Sequence, residues 1–193
     1  MFSIFKKKRK RRQLRLHLNM PLQPVHRHNL EDHLQSVLKQ MNLGEVMGGG
    51  TLLNDKEHRV ESCDIEIDLL DASDNSLHQV VELIDRIGIA NGSRLLCEDT
   101  GEEIPVGTLE GLAYFNNETE LPEDVYKTCD INQVFEGLID AMKGKGTLYS
   151  FWESPEWTIL YFYGQSFEEM KRSIEPFIET YPLCQKCRIV QIS

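Results

Sequence analysis

A chain of 193 residues, 40% hydrophobic and 27% charged, has room for one medium or two small globular domains. Its net charge is -10, but residues 6–12, KKKRKRR, hold seven of the 21 Lys and Arg, leaving 14 against 31 Asp and Glu, or -17. A body this acidic repels the phosphates of nucleic acid and favours a basic partner.

Residues 1–12 read as a basic N-terminal tail, solvated or folded back onto the acidic body. They lack the apolar stretch that follows the basic start of a secretory signal. Leu14, Leu16, Leu18 and Met20 then alternate with Arg15, His17 and Asn19, the pattern of a half-buried strand that Pro21 and Pro24 end. His26 and His28 fall in a loop before a helix capped by Asn29 and lined by Leu30, Leu34, Val37, Leu38 and Met41. Gly44 stops that helix. Two strands follow around the turn NDKEHR, and in the second Cys63, Ile65, Ile67 and Leu69 alternate with Ser62, Asp64, Glu66 and Asp68. SLHQVVELIDRIG is a second helix and SRLLCED a further strand, closing a unit over 13–99. TGEEIPVG, with its Gly, Pro and paired acids, marks a linker at 100–106.

The same order returns over 107–193. TLEGLAYF is a strand, and the helical stretch after it breaks near Cys129, with Asp130 capping its longer part. TLYSFWE and WTILYFYG form a hairpin through SPE. A helix opens with the capping box of Ser166 and Glu169, and KCRIVQIS closes the unit. Strand, helix, strand, strand, helix, strand, written twice, predicts an α+β protein of two tandem ferredoxin-like (βαββαβ) units. Each is expected to be a four-stranded antiparallel sheet with two helices on one face.

Over residues 13–193, GEVMGGGT, CDIEIDL and YPLCQKCRIVQI resemble an uncharacterised bacterial family of tandem ferredoxin-like proteins. In size, charge and fold the chain is also broadly similar to acidic immunity proteins, which neutralise cognate toxins. That likeness implies binding without catalysis and carries over no catalytic residue.

Gly48, Gly49 and Gly50 pose a choice between a phosphate cradle and a bend. A phosphate loop joins a strand to a helix whose first amides meet the anion, whereas here another strand follows. The expectation is a bulge in an edge strand, with close approach of a ligand as a weaker reading shared by the loop at His26 and His28.

Alternation places His17, Asp64, Glu66 and Asp68 on the uncovered face of the first sheet, an acidic docking surface for a Lys- and Arg-rich protein. His17 between two carboxylates is also the best candidate for a metal or acid–base site. In the second unit Trp157, Ile159, Tyr161 and Tyr163 share one side of a strand, which Tyr149 and Phe151 can join. RNA-binding sheets stack bases on such platforms but surround them with basic residues, which are scarce here. An aromatic patch without them suits protein contact: the first unit, a partner or a homodimer through this sheet. Cys184 and Cys187 form a C-x-x-C without the helix start of a redox pair or the further ligands of a zinc site.

Five cysteines, an odd number, fit reduced thiols and a cytoplasmic setting, and no apolar run reaches the ~18 residues of a membrane span. The expectation is a non-catalytic module without cofactor or metal, an immunity-type inhibitor or regulator of a basic protein. Its contacts would be His17, Asp64, Glu66, Asp68, Trp157, Tyr161 and Tyr163. The alternatives are a small-molecule-sensing regulatory domain and, behind it, a metal-dependent enzyme around His17, Asp64 and Glu66.

Overall fold

The computed structural model of the chain describes residues 10–54 and 59–193, so most of the basic tail and the turn at 55–58 lie outside the described residues. The described residues form a mixed α+β structure with two antiparallel sheets and five α-helices. Among them, no helix is long and apolar enough to cross a membrane.

The first sheet is built from β1 (Arg12–Leu18), β2 (Gly44–Asn54), β3 (Arg59–Leu69), β4 (Ser93–Cys97) and β5 (Glu102–Val106), in the spatial order β2-β3-β1-β4-β5. The inward side chains of β1 and β3, among them Leu14, Leu16, Ile65 and Ile67, are buried with Leu34 and Leu38 of α1 (Pro24–Gln40) and with Val80 and Ile84 of α2 (Asp74–Ile87). Ser73 caps α2, its hydroxyl accepting from the Ser76 amide, and Gly88 ends it in the left-handed conformation (φ 87°).

Three sequence expectations need correction. The stretch at 100–106 is not a free linker, because β5 pairs with β4 there and gives the first sheet five strands instead of four. Pro105 is tolerated because β5 is an edge strand, where a missing amide hydrogen breaks no ladder. Likewise α1 starts at Pro24 and not at Asn29, since proline at the first helical position lacks only an amide that would have no partner there. His26 and His28 are therefore helical. Finally, the basic tail stops one residue short of its expected end, since Arg12 opens β1.

The second sheet has the order β7-β8-β6-β9, from β6 (Glu110–Asn117), β7 (Gly146–Glu153), β8 (Trp157–Gly164) and β9 (Arg188–Gln191). Three helices accompany it where two were expected. The helical stretch breaks at Cys129 into α3 (Glu123–Thr128) and α4 (Ile131–Ala141), with the Asp130 carboxylate accepting from the Asn132 amide, and α5 (Phe167–Ile178) follows the hairpin. A 3-10 turn at Pro182–Cys184 leads to β9. Leu112, Tyr114, Leu160 and Phe162 are buried with Val134, Leu138, Met170 and Ile174 on the helical side of the sheet.

The other side of this second sheet is covered too. Ala113, Tyr161 and Tyr163 belong to the core of the first sheet. Backbone pairing ties the halves, with the Asn91 amide donating to the Leu109 carbonyl (2.8 Å) and the Leu109 amide to the Ile89 carbonyl (3.1 Å). The Gln23 side-chain amide donates to the Phe151 carbonyl, and the Tyr149 hydroxyl to the Gly88 carbonyl at 3.0 Å.

β7 carries a bulge that corrects the expected aromatic set. Its register against β8 skips Tyr149, so Ser150 faces Tyr161 and Phe151 faces Leu160. The extra residue reverses the alternation beyond it. Phe151 turns to the helical side, meeting Phe135 edge to face at 5.8 Å, while Tyr149 packs on Tyr163 at 5.5 Å. Trp152, opposite Ile159, takes the place expected for Phe151.

Candidate functional site

The first half of the chain covers the aromatic face of the second sheet but does not close on it completely. A cleft of about 810 Å³ remains between the ends of β1 and β3 on one side and the aromatic face of the second sheet on the other. Such a volume is within the range of small-molecule sites, which favour junctions of this kind.

The first sheet supplies the polar wall. Pairing of β1 with β3 sets His17 opposite Asp64, and the ring Nδ1 lies 2.9 Å from Asp64 Oδ1. Both side chains are about one-third exposed, 39% and 34%, so the pair is neither sealed in the core nor fully solvated. A carboxylate accepts only from an N–H, so in the neutral ring the proton sits on Nδ1 and Nε2 is left as a hydrogen-bond acceptor. Arg59 and Glu61 stand beside His17 at the start of β3, where the register between β2 and β3 skips one residue.

The second sheet supplies the apolar wall. Phe115 and Trp157 are neighbours on β6 and β8 and meet edge to face at 6.0 Å. The Arg188 guanidinium lies over both rings, 4.7 and 4.5 Å from their centres, and braces them from β9, where Arg188 stands opposite Phe115. Ile159 and Tyr161 continue the wall inward. Tyr161 is 7% exposed, and burial pushes its phenol up to about 12 although Arg59 pulls it the other way. At Ser154–Trp157 the β7–β8 turn forms the rim, with the Ser154 hydroxyl bonded to both the amide and the carbonyl of Trp157.

Four residues singled out in the sequence for different reasons thus converge: His17 and Asp64 as a pair, Trp157 and Tyr161 as the facing wall. The others do not join them. Tyr163 is 1% exposed, behind Tyr161, its hydroxyl without a partner among the described residues and its phenol raised further by burial. It cannot reach a partner protein, and the face expected to dimerise is occupied by the chain's own first half. Asp68 is buried and takes a hydrogen bond from Arg11, which also bonds Glu45. Glu66 is exposed, opposite Arg15 in the β1–β3 register.

The glycines serve packing. The β2–β3 register skips Met47 just before Gly48, whose φ of 146° suits glycine. At Gly49 an added Cβ would stand 2.4 Å from Glu31 Oε1 and 2.3 Å from the Asp64 carbonyl, whereas at Gly50 it would meet nothing within 4 Å. Gly49 therefore lets α1 approach with Arg27 and Glu31, a buried ion pair extended by Thr51 and His28. His26 is used in the junction: its Nδ1 lies 3.0 Å from Ser150 Oγ, and burial lowers its pKa.

Cys184 and Cys187 flank the Tyr114 hydroxyl, and burial pushes the Cys184 thiol up to about 11 and that of Cys187 in the same direction. Thiols so protonated are poor nucleophiles at neutral pH. Among the described residues, no group of three or more His, Cys, Asp and Glu is arranged to hold a metal ion.

Sequence reasoning missed Arg59, Glu61 and Phe115 in the cleft and the buried pair of Arg27 with Glu31 against β2. Phe115 was within reach, since it alternates with Tyr114 in AYFN, and Arg27 and Glu31 have the four-residue spacing of a helical ion pair. Nothing local signalled Arg59 or Glu61.

No known protein family matches the chain, and no curated protein does. Among solved structures, it is similar to TiaS in a complex with a tRNA, AMPCPP and agmatine, at 10% identity and a TM-score of 0.33, over 86% of this chain and 56% of that one. The chain thus spans little more than half of TiaS. It is similar to a putative monooxygenase, FN1347, from Fusobacterium nucleatum, at 9% identity and a TM-score of 0.31, over 95% and 91% of the two chains. The first two RRM domains of yeast Pub1 match at 7% identity and a TM-score of 0.25, over 93% and 99%. Likeness at these scores carries no argument about activity.

Proposed function

We propose that the chain is a small-molecule-binding module whose site is the cleft between two ferredoxin-like units set in tandem. The tandem reading draws on the shared strand order, β2-β3-β1-β4 in one sheet and β7-β8-β6-β9 in the other. One observation carries the functional reading. A cleft of about 810 Å³ has an oriented histidine on one wall and two braced aromatic rings on the other. Apolar walls with a few fixed polar groups are what a ligand site needs. Because the walls belong to different sheets, an occupant bridging them would tighten the junction, which suits a sensing or regulatory role.

The test is binding of the neutral fluorescent apolar probe N-phenyl-1-naphthylamine to the folded protein. Enhanced emission in the wild type that Trp157→Ala abolishes, with the melting transition retained, supports the reading. Emission unchanged by that substitution contradicts it.

A second reading, docking of a basic protein in the manner of an immunity inhibitor, draws on the -17 charge outside the basic run and on exposed Glu66. The cleft fits less well with it, because Asp64 and Asp68 already have partners within the chain. Glu66→Lys that leaves association with a basic partner intact would sink that docking face.

A further inference from the structure

We infer that the cleft selects a neutral, planar aromatic ligand carrying a hydroxyl or similar hydrogen-bond donor, seated with its ring on the Trp157 wall and its donor on His17 Nε2. The inference rests on the cleft being a ligand site and adds the ligand's chemistry.

Three observations lead there. The apolar wall is the surface of a β-sheet, made by Phe115, Trp157, Ile159 and Tyr161 side by side. Phe115 and Trp157 stand nearly perpendicular, at 86°, so a flat aromatic body can lie on one ring and meet the edge of the other, and such ring packing adds to burial of area. Charge decides the second point. Among the described residues, the charged side chains lining the cleft are Arg59, Glu61 and Glu156, and the Arg188 guanidinium lies over its aromatic wall, two cations against two carboxylates. With the two signs balanced, a net charge on the ligand gains nothing from the walls, and a cation would in addition be repelled by the Arg188 guanidinium over Phe115 and Trp157.

The third point is the polar contact itself. In the neutral ring Asp64 holds the proton on Nδ1, so Nε2 of this cleft-lining residue is an acceptor and not a donor. A hydroxyl meets that acceptor, while an ether of the same shape cannot. In this scheme Asp64 is a positioning residue, acting on the ligand only through the tautomer it imposes.

The experiment compares 2-naphthol with 2-methoxynaphthalene, which keep one ring system and differ in the donor, by calorimetric titration of the full chain. The wild type should bind 2-naphthol roughly five- to tenfold more tightly, as expected for one net hydrogen bond. His17→Phe removes the acceptor and should bring the ratio near one. Asp64→Asn keeps the shape, but its amide either accepts from Nδ1 or donates to it, so the tautomer is no longer imposed and the preference should shrink while both probes still bind. A structural role for Asp64 would weaken both probes equally and leave the ratio unchanged. Equal binding by the wild type, or a preference that survives both substitutions, overturns the inference and leaves the ligand cleft standing. Binding of neither probe, with the protein folded, overturns both.

Discussion

The two sheets share a strand order but use their helix-free faces in opposite ways. On the first, Arg15 pairs with Glu98, His17 with Asp64 and Arg94 with Glu103, so the face is polar, largely neutralised from within and open to water. The corresponding face of the second sheet is aromatic and closed by the first half of the chain, except at the cleft. The difference lies in the alternate residues of a few strands. A polar row can stay in solvent at little cost, whereas a row of Trp, Ile and Tyr gains free energy only by finding a cover. Cover and cleft arise together, because an aromatic wall that is incompletely covered is also a binding wall.

The sharpest way to break this comparison is to remove a ring from the covered face. Tyr163→Ala should cost about 3–5 kcal/mol, as for other buried aromatics cut to alanine. Tyr163→Phe should be neutral or stabilising, since the hydroxyl it removes is buried without a partner among the described residues. Urea unfolding of both variants checks the pair, and a large loss for Tyr163→Phe would mean that the hydroxyl has a partner.

Alkaline pH probes the same face. Unfolded tyrosine gives up its proton near pH ~10, while Tyr161 in the folded chain holds it to about 12. Between those values the native state binds more protons than the unfolded one, so its stability falls as pH rises and is unaffected below about 10. The loss expected from Tyr161 is about 2–3 kcal/mol across that window, beside those from the other buried phenols, Tyr163 among them, and Tyr161→Phe should remove its own share from the pH–stability curve.

The inner side of the first sheet gives a smaller contrast. Gly49→Ala must displace Glu31 or the β3 backbone and should cost about 1–3 kcal/mol, whereas Gly50→Ala meets open space and should change little. Equal effects in thermal unfolding would contradict the close approach of α1. Smallest of all, Arg15→Ala breaks an exposed pair and should cost under about 1 kcal/mol, less at high salt.

Much of this was legible because alternation is local. The run from Leu14 to Met20 and the run from Ser62 to Leu69 each declare their faces, and pairing in register brings His17 to Asp64. The aromatic row of β8 was equally plain. What escaped depends on single exceptions or on distance. One extra residue at Tyr149 exchanged Phe151 for Trp152, and two acids with a proline disguised β5 as a linker. The cleft was illegible for another reason. His17 and Trp157 are 140 positions apart, and nothing in either strand's pattern says that the other will face it.

The most direct test of the cleft is a nitrogen-15 NMR titration of the two tryptophan indole signals with 2-naphthol. Trp157 lines the cleft, while Trp152 is packed in the junction with its indole nitrogen buried. The account expects the Trp157 signal to move saturably with the amides of His17 and Tyr161, and the Trp152 signal to stay nearly still. Saturable shifts gathered elsewhere, as around exposed Leu52 and Leu53 on the edge strand, with Trp157 unmoved, would contradict it.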